Sequence, residues 1–591
     1  MRRIWIAVFV VLLVLLLCGC TARQPEPAGI TVSLALPEGC SVAENGLQIQ
    51  SGQDAVFELI LEEGYEFSSV DYDGVYSVES ANGLLQLRLQ EVRYATLAPV
   101  TLTNHYCSIR YEPNGGEGEV QTVGYDTEEH IRPNTSIGTD IFSREGYTLT
   151  GWNTAPDGSG TAVGLGSRVS VSGGKLTLYA QWAKWSSADD FTWILEEDGI
   201  KITDYTGSDD PVVVPGTILG NEVTVIGIGT FDGCMAEHVI LPPTIKTLQV
   251  DSFTNCALRE LTFFDNIEAL GDISFSSCPD FSTVHINAVE APWGYDYRRE
   301  SCLADKVDML IAAQGQQKLV FYGGCSMWYN LDGQLAQEAV GDAYRVINMG
   351  LNGVMNSAAQ VQILTAFLEP GDVFFHTPEV SSDAQMMSRT EMINHDRKLW
   401  CGMEYNYDLV SLLDIRTLPE FFDILYYWLS TKEQTSSYTD VYRDSQGNRY
   451  VDEYGCASFL RTVSKAELSD KVNLQASSFE KTAMARLDGL YQVMADRGVK
   501  VYVGHACVNL DAVTEEQTPV ETMDELFRQT FNAMEGVTVV GSMLDYVYHN
   551  SDFYDTNYHL LTAQARENTA VWMEDLTQQM ILDGLLPEHT S

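Results

Sequence analysis

The sequence predicts a multidomain chain in which small all-β modules and a short solenoid precede an α/β sandwich built on a parallel sheet. Three observations lead there. The 591 residues exceed what one hydrophobic core organises, roughly 100 to 200 residues per domain. Three segments between Ile226 and Cys278 share a spacing of 22 residues (Phe231, Phe253 and Phe275; Cys234, Cys256 and Cys278), and such a period marks units that bury their apolar faces only by stacking on neighbours. After Pro292, short apolar runs alternate with stretches of helical periodicity, the pattern of strands joined by crossover helices.

The chain opens with Arg2 and Arg3 ahead of an unbroken apolar run, Ile4 to Leu17, shorter than the roughly 18 residues a spanning helix requires. Residues 1–20 read as an export signal. The run ends in "LCGC", Leu17 to Cys20, which resembles the lipobox of bacterial lipoproteins. The resemblance implies that Cys20 is lipidated, becomes the mature terminus and anchors the protein to the outer face of the membrane at the bacterial cell surface. An ordinary secretory signal that contains cysteines is the alternative. The following "TARQPEPAG" has the small, polar, proline-containing composition of a tether.

A formal charge of -47 excludes nucleic acid and anionic polymers as partners, because a strongly acidic surface repels phosphate. Of the twelve cysteines, Cys18 leaves with the signal and Cys20 goes to lipid. None of the rest forms a CxxC pair, so neither a metal nor another cofactor is expected.

Residues 29–104 alternate apolar and polar positions, as in "ITVSLAL", "VFELIL" and "LLQLRLQ", and predict a small all-β module, a spacer or a binding module. Residues 105–184 carry "YEPNGGEGEV", "REGYTLTGWNTAPDGSGTAV" and "LTLYAQW". This stretch resembles the Listeria-Bacteroides repeat, or internalin B-type repeat, which implies a compact β-grasp-like module of surface proteins with Trp152 and Trp182 in its core. Residues 185–290 hold the 22-residue period, and "IGIGTFDGC" with "LPPTIKTL" resembles the BspA-like leucine-rich repeat. In a short solenoid of this kind Cys234, Cys256 and Cys278 read as small buried wall residues rather than bridge partners or ligands.

In residues 291–591, "KLVFY", "YRVIN", "DVFFH", "VKVYV" and "VTVVG" read as buried parallel strands. Ligands of such sheets bind beyond the carboxyl ends of the strands. At one such end lies "FYGGCSMWYNLDG", Phe321 to Gly333. Gly323 and Gly324 let a backbone approach closely because they lack Cβ. His559 sits late in the chain, and Asp555 precedes it by four residues, close enough to accept the second imidazole proton and fix the tautomer.

Four blocks in order, "FYGGCSMWYNLD", "VINMGLNG", "LEPGDVFFHTPE" and "DFYDTNYHLLTAQAR", resemble the SGNH or GDSL-like hydrolase superfamily. The resemblance implies a flavodoxin-like, SGNH-type three-layer sandwich and an acyl-hydrolase site. Aligned on the double glycine, it places Cys325 at the nucleophile and Ser326 one position later; Cys325 is preferred and Ser326 stays open. His559 becomes the base and Asp555 its partner, with Gly324, Gly350, Asn352 and Glu379 as oxyanion or substrate-binding positions. His376 and His505 are alternative imidazoles. The sequence departs from the family at two points: Pro378-Glu379 stands where the third-block asparagine belongs, and the Asp-x-x-His spacing is lengthened by one residue. A thiol nucleophile is chemically sound if a helix amino terminus and an imidazole favour its thiolate.

Residues near 383–470, rich in aromatics such as Trp400, Tyr405, Tyr407, Phe421, Phe422, Tyr426, Tyr427 and Trp428, read as an insertion, either a cap over the site or a helical subcluster. The resulting expectation is a lipid-anchored surface protein acting as an esterase or acyl transferase on O-acyl groups of a glycan or a small ester. Its leucine-rich repeats would supply a protein or glycan contact. The alternative, from another class, is a non-catalytic adhesin or glycan- or protein-binding protein with a degenerate SGNH domain.

Overall fold

A computed structural model of the chain describes residues 29–587 except 38, 63–64, 82–83, 105–106, 126–130, 132, 134–140, 172–173, 272–277, 290–302, 352–356, 380–402, 405, 419–420, 423–424, 426–450, 459 and 465–473. Cys20 with its signal, Phe275, Asn352, Trp400, Tyr405, Tyr426, Tyr427, Trp428 and most of the insertion lie outside the described residues.

The chain divides into two compact units. In the first, the alternating segments of residues 30–104 form two four-stranded sheets. One runs in the order Leu47–Ile49, Ile30–Ala35, Thr96–Asn104, Tyr65–Val70, and the other Cys40–Val42, Gln53–Leu61, Leu84–Val92, Tyr76–Ala81. The period-2 pattern turns one side of each strand inward, where Val32, Leu34, Phe57, Leu59, Leu87, Leu89 and Val100 make the core.

The second unit begins with part of the segment that resembles the Listeria-Bacteroides repeat. There Tyr147–Asn153 pairs antiparallel with Ala162–Gly164 and with residues 179–184. Trp152 is fully buried, edge-on to Tyr111 and Phe142. Trp182 is half-buried and donates its indole N–H to the Pro113 carbonyl at 3.0 Å.

The solenoid follows the 22-residue period at the level of register. Ile226 pairs with Leu248 and Leu248 with Leu270 in one parallel column, while His238–Ile240, Glu260–Phe264 and Thr283–Asn287 form another. Inside, Phe231 and Phe253 stack with centroids 4.9 Å apart and planes 7° from parallel. Within this unit the described part of the insertion packs on the solenoid: Tyr407 donates its hydroxyl to Asp265, the Ile415 amide donates to the Ser282 carbonyl, and Phe422 lies against Phe281. These residues belong to a helical cluster on the repeats.

The carboxy-terminal region centres on five strands, β1 (Lys318–Gly323), β2 (Arg345–Asn348), β3 (Val373–Thr377), β4 (Lys500–Val503) and β5 (Val537–Val539). They pair in the order β2-β1-β3-β4-β5, every pair parallel. Every residue of β1 and β3 is buried, as a sheet covered on both faces requires. The helices are α1 (Leu303–Ala312), α2 (Cys325–Asn330), α3 (Gly333–Val340), α4 (Ser357–Phe367), α5 (Lys481–Asp496), α6 (Val520–Phe531) and α7 (Thr562–Leu582). Val320, Tyr322, Phe374 and Val501 face α1, α4, α5 and α6. Leu319, Phe321, Phe375 and Tyr502 face α2, α3 and α7.

Candidate active site

At the carboxyl end of β1 the chain turns through Gly323 and Gly324 directly into α2, whose first residue is Cys325. Close approach requires Gly323 and crowds Gly324. A Cβ on Gly323 would come within 2.9 Å of Met327 and 3.0 Å of the Thr377 backbone, and one on Gly324 would lie 2.5 Å from a Glu379 carboxylate oxygen. Glu379 follows β3, the strand beside β1, and its Oε1 accepts the Ser326 amide at 3.0 Å. The Ser326 side chain is buried. It is 1% exposed and its Oγ has no hydrogen-bond partner, whereas Cys325 is half-buried. Of the two candidate nucleophiles, Cys325 is the one on the accessible side of the turn.

The imidazole arrives from the loop ahead of α7. Residues 553–560 fold back on themselves: Phe553 and Leu560 form an antiparallel bridge, and the Tyr554 amide donates to the His559 carbonyl at 2.7 Å. The fold-back brings Asp555 Oδ1 to 2.7 Å from His559 Nδ1, so the lengthened spacing still closes the acid–imidazole pair. With Nδ1–H donated to that carboxylate, Nε2 carries the lone pair. Nε2 is buried and has no hydrogen-bond partner.

The ring of His559 lies on Tyr329, with centroids 3.8 Å apart and planes 6° from parallel. Tyr329 stands four residues after Cys325 on α2, hence on the same helix face one turn further on. The imidazole is therefore docked on the last turn of α2, the helix that Cys325 begins.

Two residues that the sequence reading did not single out hold this arrangement. Asn330, fully buried at the end of α2, accepts the Leu560 amide at 2.8 Å and donates to the Tyr558 carbonyl at 2.8 Å. It thereby clamps the backbone on both sides of His559. Arg461 is 3% exposed; its guanidinium donates to the carbonyls of Tyr329 and Leu560 and lies 5.2 Å from the Tyr329 ring centroid. Burial weakens its hold on the proton.

Of the expected oxyanion or substrate-binding positions, Gly324, Gly350 and Glu379 are among the described residues. The Gly350 amide donates to Asn348 Oδ1 at 2.8 Å, and a Cβ there would meet the Trp328 backbone at 2.6 Å, so Gly350 serves the packing of the β2 loop on α2. Glu379 accepts a backbone amide rather than offering a donor. Gly324 forms the turn itself.

The two alternative imidazoles are elsewhere. His376 points to the opposite face of the sheet, with Nδ1 at 2.5 Å from the Tyr491 hydroxyl and its ring beside Tyr322 and Phe374. His505 is fully buried beside Phe527, 3.6 Å from Asp524; burial lowers its pKa to about 4. A separate cavity of about 390 Å³ collects His238, Glu260, His285 and Asp408. Among the described residues no group of three or more His, Cys, Asp or Glu is placed to hold a metal ion.

Two segments match known repeat families. Residues 108–181 match the Listeria-Bacteroides repeat domain, and residues 215–291 match the BspA type leucine rich repeat region. A protein of Evansella cellulosilytica named "Putative membrane protein" is 38% identical over 84 residues, 14% of this chain and 12% of its own length. The chain thus matches only a small part of that relative. The crystal structure of the T. pallidum leucine rich repeat protein is similar to 17% of this chain and covers 71% of its own, at 19% identity and a TM-score of 0.13. The chain is a multidomain, strand-rich protein bearing repeat modules typical of surface proteins. Among the described residues, no helix is long and apolar enough to cross a membrane.

Proposed function

We propose that the carboxy-terminal domain is an SGNH-type acyl hydrolase or acyl transferase, held at the bacterial cell surface by a lipid on Cys20 and presented by the β-modules and the solenoid. The observation that carries this reading is the imidazole. His559 is paired with Asp555 on one side, lies on the helix that Cys325 begins, and keeps its other nitrogen buried without a partner. The sheet order supports it: 2-1-3-4-5 is the flavodoxin-like order, whose ligands lie where β1 and β3 diverge, and the turns after those two strands carry Cys325 and Glu379.

In this mechanism His559 Nε2 takes the proton of the Cys325 thiol as Sγ attacks the ester carbonyl carbon. The tetrahedral intermediate collapses, the imidazolium returns the proton to the leaving alkoxide, and a thioester remains on Cys325. Water, or an acceptor hydroxyl in the transferase case, repeats the sequence and frees the thiol. Asp555 stabilises the imidazolium in both halves. The substrate class is an O-acyl ester of a glycan, with a small ester as the simplest surrogate. The test is release of p-nitrophenol from p-nitrophenyl acetate by the full chain, compared with Cys325→Ala, Ser326→Ala and His559→Ala.

One specific observation favours a second reading, a non-catalytic adhesin that meets protein or glycan through its repeats. The amides of Ser326 and Gly350 are both already engaged, by Glu379 and Asn348, which leaves fewer donors for an oxyanion than such chemistry usually enjoys. A folded chain that turns over no acyl ester decides for that reading.

A further inference from the structure

The solenoid holds two thiols closer than non-bonded sulfurs sit. Cys256 and Cys278 occupy equivalent positions in successive 22-residue units, 5% and 1% exposed, with their Sγ atoms 2.7 Å apart. That separation lies between the covalent S–S length of about 2.05 Å and the roughly 3.5–4.0 Å that non-bonded carbon atoms keep, and sulfur is the larger atom. The backbone places successive turns in the same column within covalent reach. The Ala257 amide donates to the Cys234 carbonyl of the preceding unit at 2.8 Å, and the Leu248–Leu270 rung pairs in parallel. Strand-like neighbours stand about 4.7–4.9 Å apart, inside the roughly 4.4–6.8 Å between Cα atoms that a disulfide spans.

We propose that Cys256 and Cys278 are a disulfide-forming pair, closed by a thiol–disulfide oxidant into a covalent clasp between the last two units of the solenoid. The step balances with a small-molecule disulfide such as glutathione disulfide. Both sulfurs are buried, so the exchange proceeds when the end of the solenoid opens locally: the Cys278 thiolate attacks one sulfur of that disulfide, releasing one glutathione thiolate and leaving a mixed disulfide. The Cys256 thiolate then attacks the Cys278 sulfur, forms the S–S bond and expels the second glutathione thiolate. The protein gives up two electrons, which reduce the glutathione disulfide, and its two thiol protons go to the two glutathione thiolates.

The contact also prepares the first nucleophile. The Cys256 thiol hydrogen-bonded to the Cys278 sulfur lowers the Cys278 pKa to about 7, and the same bond with burial raises that of Cys256. The clasp ties a short array at its far end. A solenoid of few repeats relies on nearest-neighbour interfaces for its stability, and a cross-link between successive units constrains the unfolded chain.

The test uses the full chain and needs no variant to succeed. Cleavage at Lys and Arg puts Cys234, Cys256 and Cys278 on three separate peptides, residues 202–246, 247–259 and 260–298. After native incubation with glutathione disulfide, acid quenching and alkylation of remaining thiols, peptides 247–259 and 260–298 are expected joined, two hydrogens lighter than their sum. The oxidised chain should melt at a higher temperature than the same chain after dithiothreitol. Cys278→Ala should abolish the joined peptide and the difference in melting. Full alkylation of both Cys256 and Cys278 after oxidation, joining of either to Cys234 instead, or identical melting of oxidised and reduced chain would overturn the assignment.

Discussion

His559 lies flat on Tyr329, ring centroids 3.8 Å apart and planes 6° from parallel. The stack fixes an imidazole on a loop close to the carboxyl terminus to the helix that begins at Cys325. It makes α2 and the His559 loop one structural element, and Asn330 is the joint between them.

Asn330→Ala should therefore cost more than an ordinary polar truncation. It leaves the buried Leu560 amide without the side-chain oxygen that accepts it, at about 1–3 kcal/mol for a buried group left unpaired. Urea unfolding should show a loss of about 1–3 kcal/mol. A change of less than about 0.5 kcal/mol, the usual range for surface positions, would contradict the clamp.

Gly324→Ala probes the turn from the other side. The added methyl would stand 2.5 Å from a Glu379 oxygen, so either that carboxylate or the turn must shift, and overpacking of this kind costs about 1–3 kcal/mol. Pairing it with Glu379→Ala should recover part of the loss, because the obstructing group is gone. Equal destabilisation in both backgrounds would show that the contact does not set the turn.

His505 gives the domain an acid-sensitive component. Burial depresses its folded pKa to about 4, below the roughly 6.5 of an unfolded histidine. Between those values the unfolded chain binds a proton that the folded chain refuses, so the contribution is complete above pH about 6.5 and is lost as pH falls toward about 4. Burial pushes the neighbouring Asp524 carboxyl up, but the Met543 amide, Arg528 and His505 together outweigh it and hold the group below the ordinary carboxylate range, so its own loss begins at lower pH. Denaturant midpoints between pH 7.5 and 5 should fall less steeply for His505→Gln than for the parent chain, and parallel curves would remove His505 as the cause.

Local periodicity made the scaffold legible. "KLVFY", "YRVIN", "DVFFH", "VKVYV" and "VTVVG" become the five parallel strands, and the 22-residue spacing becomes the Ile226–Leu248–Leu270 column. The Asp555–His559 pair was readable because both residues lie on one short loop. Asn330 and Arg461 were not, since their partners lie 230 and 99 residues away in sequence and a buried amide or guanidinium looks locally like any polar side chain. The one available signal was an asparagine directly after Met327, Trp328 and Tyr329, where an unpartnered polar group would be expensive. The engagement of the Gly350 amide by Asn348, two residues earlier, was not legible either, because it is a side-chain contact that spacing does not reveal.

The central claim is that Cys325 carries the acyl group, and mass spectrometry of the acid-quenched reaction with p-nitrophenyl acetate tests it most directly. Cleavage at Lys and Arg yields residues 319–345, in which Cys325 is the sole cysteine. The account predicts an acetyl group on Cys325 in that peptide, removable by hydroxylamine as a thioester and absent in Cys325→Ala. Its formation should slow by about 10²–10⁴-fold in His559→Ala, the range of a lost general base. An unlabelled Cys325 with turnover unchanged in Cys325→Ala, or labelling indifferent to His559, would contradict it.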